Sequence, residues 1–292
     1  MTILGIDIGG TNIKTALANE SGEFLENFPV TYKTDKNIIS LLKTILEKYS
    51  AYCDKIGISV AANVNKRGEI VNSTNLEIEK NFPLTEWAEK ISQKPCRAIN
   101  DGTASAVAIL YRKEFTGFSN IVSLTMGTGI GGGIILNGKV LTTKTGIDSE
   151  LGHITVIKDG KKCNCGNFGC LEAYCGEKAI VERFNKESHK KIPNTFELKK
   201  LLDNNNAIAE KTVKETGDYI GAALVTLTNI LGIEAIAIGG GVAGLGETLT
   251  ETISSYLRKN CFGSKLGIYP EVFVVENYQY LSLEGAVKLW HE

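Results

Sequence analysis

The chain has 292 residues, enough for two ordinary domains, with 43% hydrophobic and 22% charged residues and a formal net charge of −1. That balance gives no electrostatic footprint for DNA, RNA or an anionic membrane, which argues against nucleic acid and lipid as partners. No apolar run approaches the ~18–20 residues that span a bilayer. MTILGIDIGG lacks the basic start of a signal peptide, so the expected compartment is the cytoplasm.

In chain order, ILGIDIGG (3–10) and the following TNIKTALANESGEFLENFPV predict a strand, a glycine turn and more strand, a β-meander. Residues 37–49 carry Ile38, Leu41, Leu42, Ile45 and Leu46 at helical spacing, and KIGISVA (55–61) reads as a short buried strand. Asn100–Asp101 opens a small-residue helix, GTASAVAILYR, with Asp101 expected as its N-cap. From Ile121 the pattern restarts. IVSLTMGTGIGGGIIL lies over ILGIDIGGTNIKTALA so that Ile121 falls on Ile3, Thr125 on Asp7 and Gly127 on Gly9.

Helical stretches follow at 171–187 and roughly 206–231, then a buried strand EAIAIGGG and a helix LGETLTETISSYLRK. A strand EVFVVEN and a closing helix SLEGAVKLW end the chain. The expectation is a duplicated α/β architecture whose two lobes each offer a glycine hairpin to a shared cleft. The lobe boundary is placed near Tyr111–Asn120. Residues 1–115, joined by the C-terminal helix 281–292, form one lobe, and 116–280 the other.

Glycine by itself only permits positive φ in turns. Gly127–Gly132 and Gly239–Gly244 also fit G-x-G-x-x-G, but the first runs into a strand instead of a helix. After the second, too little chain is left to complete a dinucleotide fold. Read together, the clusters suggest a nucleotide site. In DIGGT an aspartate stands two residues before a turn whose N–H groups can face a phosphate, a place suited to Mg²⁺. GTGIGGG supplies a second such turn, and IGGG before a helix could cover the nucleoside. No Walker A lysine pattern occurs in the sequence.

DGKKCNCGNFGCLEAYCG (159–176) concentrates four of the seven cysteines. A reducing compartment argues against disulfides there. With His153, Cys163, Cys165 and Cys170 make three thiolates and an imidazole. That is a complete tetrahedral shell suited to structural Zn²⁺, with no open position for catalysis. Cys53, Cys96, Cys175 and Cys261 are then spare.

In order along the chain, DIGGT (7–11), IND (99–101), GTGIGGG (127–133), ELGH (150–153), CNCGNFGCLE (163–172) and IGGG (238–241) resemble the ROK family of bacterial sugar kinases and repressors. The cysteine motif is the most specific of these. The resemblance implies an actin-like ATPase/hexokinase (ribonuclease H-like) duplicated fold with a central nucleotide cleft and a small zinc-bound segment. It implies an ATP-dependent hexose kinase acting on the 6-hydroxyl of glucose or an N-acetylhexosamine such as N-acetylmannosamine.

Asp101, a capping residue on the local pattern, becomes the expected catalytic base. Asn75, Asn100, Asp101, Glu150, His153 and Glu172 match sugar-contacting positions. The imidazole of His153, fixed by the metal, is expected to aim its other ring nitrogen at the sugar. ATP and Mg²⁺ are expected at Asp7, Gly9, Gly10, Thr11, Asn12, Lys14, Thr128, Gly129, Gly131, Gly132, Gly133, Gly240 and Gly241. Structural Zn²⁺ is expected on His153, Cys163, Cys165 and Cys170. A homodimer or homotetramer is the family expectation.

This sequence departs from the family pattern in three places: Ala61–Ala62 for Pro-Gly, TNL (74–76) for Pro-Asn-Leu, and GIDSELGH where small Ala-Gly precedes the Glu. These bear on the identity of the sugar, and glucose is not a default. The alternatives are a ROK-type sugar-responsive regulator and a non-catalytic sugar sensor. Regulators of the family carry a winged helix-turn-helix ahead of the first glycine strand, which here begins at residue 3. Intact Asp7 and Asp101 argue for the enzyme.

Overall fold

The computed structural model describes residues 1–34, 36–73 and 76–291. The chain divides into two compact units. Met1–Thr116, Val140–Ser149 and Tyr280–Glu292 form the first; Gly117–Lys139 and Glu150–Gln279 form the second.

The first unit opens with β1 (Ile3–Ile8), buried along its whole length as a central strand must be. It pairs antiparallel with β2 (Asn12–Ala18), which pairs in turn with β3 (Val30–Lys33). Helix α1 (Ile38–Tyr49) buries Ile38, Leu42, Ile45 and Leu46, the apolar stripe its 3.6-residue period lays on one face. β4 (Lys55–Val60) runs parallel to β1. A small hairpin, β5 (Asn63–Val64) and β6 (Ile70–Asn72), leads to α2 (Leu84–Ser92). β7 (Cys96–Asn100) then completes the sheet order β3-β2-β1-β4-β7, and α3 (Asp101–Leu110) leaves its end.

The second unit repeats this plan. β8 (Ile121–Met126) pairs antiparallel with β9 (Ile130–Leu136), and the short β10 (Lys139–Val140) lies beyond β9. Four helices follow: α4 (Glu172–Cys175), α5 (Glu177–Ser188), α6 (Thr195–Asp203) and α7 (Ala207–Leu231). β11 (Ala235–Gly239) runs parallel to β8, α8 (Glu247–Asn260) follows, and β12 (Glu271–Val274) gives the order β10-β9-β8-β11-β12. The hairpins correspond as well, with the turn of the second one residue shorter and its register shifted by one. Ile3 faces Ala18 and Ile8 faces Ile13; Ile121 faces Ile135 and Met126 faces Ile130.

The chain closes with α9 (Leu281–Lys288), which belongs to the first unit and packs on β1, β4 and α3. Two glycines permit this approach. A Cβ on Gly57 would overlap the Ala286 carbonyl, and one on Gly285 would overlap the Ala104 carbonyl.

Three expectations are corrected. Residues 171–187 do not form one helix: Gly176 is extended (φ −65°, ψ 150°) and separates α4 from α5. Helix α6 was not anticipated, although Asn194 accepts from Glu197 N at 3.0 Å, an N-cap with a glutamate three residues on. Residues 140–149, assigned from sequence to the second lobe, cluster with the first unit. Gly146 lies against the Val64 backbone, and Asp148 bonds Thr103 and Thr143.

Candidate active site

In the first unit, Asp7 sits near the end of β1 directly opposite Lys14 on β2. Its side chain accepts a hydrogen bond from Ser59 Oγ (3.1 Å) at Oδ1 and faces Lys14 Nζ at 3.7 Å from Oδ2. Burial raises the Asp7 carboxyl above its ordinary value, opposed by Lys14 and the Ser59 bond. The turn that follows is tied internally: Gly9 N donates to Asn12 O (3.0 Å), and Thr34 Oγ1 donates to Gly9 O (2.9 Å). Gly10, Thr11 and Asn12 are exposed.

Asp101 is not the N-cap of α3. Asn100 is: it is extended, and its Oδ1 accepts from Thr103 N (3.1 Å). Asp101 occupies the first helical position, where the helix dipole favours negative charge. Its Oδ1 accepts from Gly102 N (2.8 Å) and from Asn100 Nδ2 (3.1 Å), and Asn100 Nδ2 also reaches Ala62 O (3.2 Å). Ser282 Oγ donates to the Asp101 carbonyl (3.2 Å), joining α9 to this corner. Sequence reasoning missed Asp148. Its carboxylate accepts from Thr103 Oγ1 (3.1 Å) and Thr143 N (2.7 Å), pinning the 140–149 segment to the first turn of α3.

In the second unit, the β8–β9 turn holds Thr128 exposed above a Gly127 N to Gly129 O bond (2.9 Å). Gly131, Gly132 and Gly133 lie in β9, where a Cβ on Gly132 would overlap the Ser123 carbonyl. Gly240, at φ +91°, lies so close to Met126 that a side chain would overlap its backbone. Gly241 is exposed and begins a single tight turn before α8. Glu172 Oε2 accepts from Ile130 N (2.9 Å), and Glu177 N donates to Gly127 O (2.8 Å).

His153 ends a one-turn helix, Leu151–His153, and its N–H bonds the Glu150 carbonyl (3.0 Å); the Glu150 residue is exposed. Downstream the chain forms a knuckle, with Cys163 N donating to Asn167 O (2.8 Å) and Thr155 bridged to Cys170. The knuckle brings the His153 ring and the sulfurs of Cys163, Cys165 and Cys170 within 4.8 Å of one another. Cys163 Sγ is 3.7 Å from His153 Nδ1, and Cys165 Sγ is 3.7 Å from Cys170 Sγ. A tetrahedral ion with metal–sulfur bonds of ~2.3 Å requires edges of ~3.7–3.8 Å, so the donor set fits zinc. Burial raises the Cys163 and Cys170 thiols, whereas the Asn167 N–H lowers that of Cys165. A bound cation would hold all three as thiolates.

The structure thus gathers the four cluster residues, and it places Glu172 against both the cluster and the β8–β9 turn. It joins Asn100 to Asp101. Asn75 lies outside the described residues. Among the described residues no helix is long and apolar enough to cross a membrane.

Two units on one strand plan, each with a glycine turn after its first strand, define the actin-like ATPase and hexokinase class of fold. Within that class the chain belongs to the ROK family, whose family model matches residues 3–292. It is 31% identical to a glucokinase of Halalkalibacterium halodurans, across 87% of this chain and 84% of that one. It is 28% identical to an N-acetylmannosamine kinase of Vibrio cholerae, across 88% and 90%. A ROK glucokinase from Streptomyces griseus, solved with glucose and AMPPNP, superposes with a TM-score of 0.85 at 25% identity over 99% of each chain. A ROK transcriptional regulator homologous to E. coli MLC superposes at 0.87, also at 25% identity, over 99% of this chain and 77% of that one.

Proposed function

We propose that this protein is an ATP-dependent hexose kinase that transfers the γ-phosphate to the 6-hydroxyl of glucose or an N-acetylhexosamine such as N-acetylmannosamine. The observation that carries the proposal is the Asn100–Asp101 corner. One oxygen of Asp101 is fixed by two donors at a helix N-terminus, an arrangement that orients the carboxylate. In this role Asp101 accepts the sugar hydroxyl proton as that oxygen bonds to the γ-phosphorus, and the bond to the β-phosphate oxygen breaks to release ADP.

The exposed turns at Gly9–Asn12 and Thr128–Gly129 supply backbone N–H groups to the phosphates, Lys14 supplies a positive charge, and Gly240–Gly241 lie against the nucleoside. Asp7 would hold Mg²⁺, which neutralises phosphate charge. Asn75, Asn100, Glu150, His153 and Glu172 bond the sugar hydroxyls. With Nδ1 of His153 facing the cysteines, its Nε2–H is fixed as a donor, and Zn²⁺ on the four cluster residues holds that wall.

ADP release measured with glucose, mannose, N-acetylmannosamine, N-acetylglucosamine, fructose and allose tests the proposal. Turnover of a glucose- or mannose-type hexose supports it. The likeness to a ROK regulator favours one other reading, a sugar sensor, which binding of a hexose without ADP release from any would establish.

A further inference from the structure

The cysteine cluster and the glycine turn between β8 and β9 are separate motifs in the sequence, yet one side chain joins them. Glu172 follows Cys170 by two residues, and its backbone is fixed from both sides: Leu171 N donates to Ile154 O (2.8 Å) and Ala173 N to Cys170 O (3.0 Å). Its Oε1 lies 3.9 Å from Cys163 Sγ, while Oε2 accepts from Ile130 N at 2.9 Å. Glycine at 129 leaves room for this placement, because a Cβ there would stand 2.6 Å from Glu172 Oε2 and would displace the carboxylate. The segment braces the turn a second time, through the bond from Glu177 N to Gly127 O (2.8 Å) and the packing of Gly176 on the Thr128 carbonyl. Ile130 opens β9, so a bond to its N–H fixes where the turn ends and the strand begins.

We infer that Glu172 is a positioning residue that transmits the state of the cysteine cluster to the 127–130 turn, so that metal occupancy sets the affinity of that turn for a nucleotide phosphate. This goes beyond a sugar contact for Glu172 and rests, for its nucleotide arm only, on the kinase proposal. The physical chain is short. An ion on His153, Cys163, Cys165 and Cys170 would fix Cys170, whose carbonyl holds Ala173 N and so the Glu172 backbone, and from that backbone the carboxylate reaches the Ile130 N–H. Without the ion, three thiols and an imidazole no longer share a centre, and the 170–173 backbone that carries Glu172 loses its anchor at Cys170.

The test has two arms. Hydrogen exchange followed by mass spectrometry is read on peptides covering 127–131 in the zinc-loaded protein, the chelator-stripped protein and zinc-loaded Glu172→Ala, with zinc content measured in each. The expected result is exchange about tenfold faster at 128–130 in both the stripped and the substituted protein, corresponding to the loss of about one hydrogen bond. Stripping Glu172→Ala should add little. If Glu172→Ala does not fold, Glu172→Gln, which keeps one acceptor, should give the same pattern at smaller amplitude. Unchanged exchange in 127–131 on stripping, or equal additional acceleration when Glu172→Ala is stripped, overturns the inference.

In the second arm, MgADP binding is titrated calorimetrically without sugar. The expected dissociation constant rises severalfold on stripping the parent and hardly at all on stripping Glu172→Ala; equal rises in both overturn the inference. Failure of the loaded parent to bind MgADP overturns the kinase proposal and the nucleotide half of this one. The exchange arm still decides whether the cluster governs the turn.

Discussion

Asp148 offers the sharpest test of the corner that holds Asp101. Its carboxylate is the acceptor for two donors, Thr103 Oγ1 at 3.1 Å and Thr143 N at 2.7 Å, and Thr103 is only 1% exposed. Removing the carboxylate with Asp148→Ala leaves a hydroxyl and an amide to find other partners. Hydrogen bonds to charged groups contribute ~1.5–3 kcal/mol each; because Asp148 is half-buried, the lower end applies, giving about 3 kcal/mol for the pair. At ~2–4 °C per kcal/mol for a chain region of this size, the first unit should melt roughly 6–12 °C lower.

The assay is thermal unfolding of the parent, Asp148→Ala, Thr103→Val and the double variant. Thr103→Val removes the same bond from its other end, so the two losses should not add, leaving a coupling of about 1 kcal/mol. Turnover should fall about tenfold in Asp148→Ala, because the first turn of α3 carries Asp101. Melting of Asp148→Ala within 1 °C of the parent, or strict additivity, refutes the brace.

Further expectations concern charge, packing and thiols. Burial raises the Asp7 pKa in the folded state above its ordinary 3.8, so the folded protein holds that proton more tightly than the unfolded chain. Stability is therefore lost as pH rises through this window and stays lost above it. Asp7→Asn should raise Tm more at pH 7.5 than at pH 4 while lowering Mg²⁺-dependent turnover; a gain no larger at pH 7.5 contradicts this. Gly57→Ala drives a methyl into the Ala286 carbonyl and should cost ~1–3 kcal/mol in urea unfolding, so an unchanged midpoint would remove the close-approach argument. Burial pushes Cys53 up to about 11 and Cys96 and Cys175 up to about 12, so these stay unreactive at pH 8 in the folded protein. Chelation should release zinc and make Cys163, Cys165 and Cys170 newly reactive; no gain in titratable thiols on chelation would count against the cluster as a zinc site.

Much of the architecture was legible because it rests on local period and on repetition. The superposition of Ile121 on Ile3 anticipated two antiparallel hairpins, which differ by one residue in turn length, and the apolar stripe of 38–49 gave α1 to within a residue. The cysteine cluster was legible from residue type and spacing, because ligand geometry constrains both. The contacts among motifs were not. Asp101 read as an N-cap because aspartate is a good capping residue; which of Asn100 and Asp101 caps depends on where the backbone leaves extended geometry. The Asp148–Thr103 bond joins residues separated by 45 positions, and the Glu172–Ile130 bond residues separated by 42. No local pattern signals such pairings. Gly176 could not be distinguished from a glycine tolerated within a helix until its extended conformation was seen to let Glu177 N reach Gly127 O.

The central claim is that a hexose hydroxyl, deprotonated by Asp101, takes a phosphoryl group from ATP. Its most direct measurement is phosphorus NMR of the product formed from MgATP and each hexose by the parent and by Asp101→Asn. The account predicts a sugar phosphate ester coupled to the two protons of carbon 6, formed together with ADP, and a rate at least a hundredfold lower for Asp101→Asn in a protein that still folds and binds sugar. No ester from any hexose, or an Asp101→Asn rate within a fewfold of the parent, would contradict it.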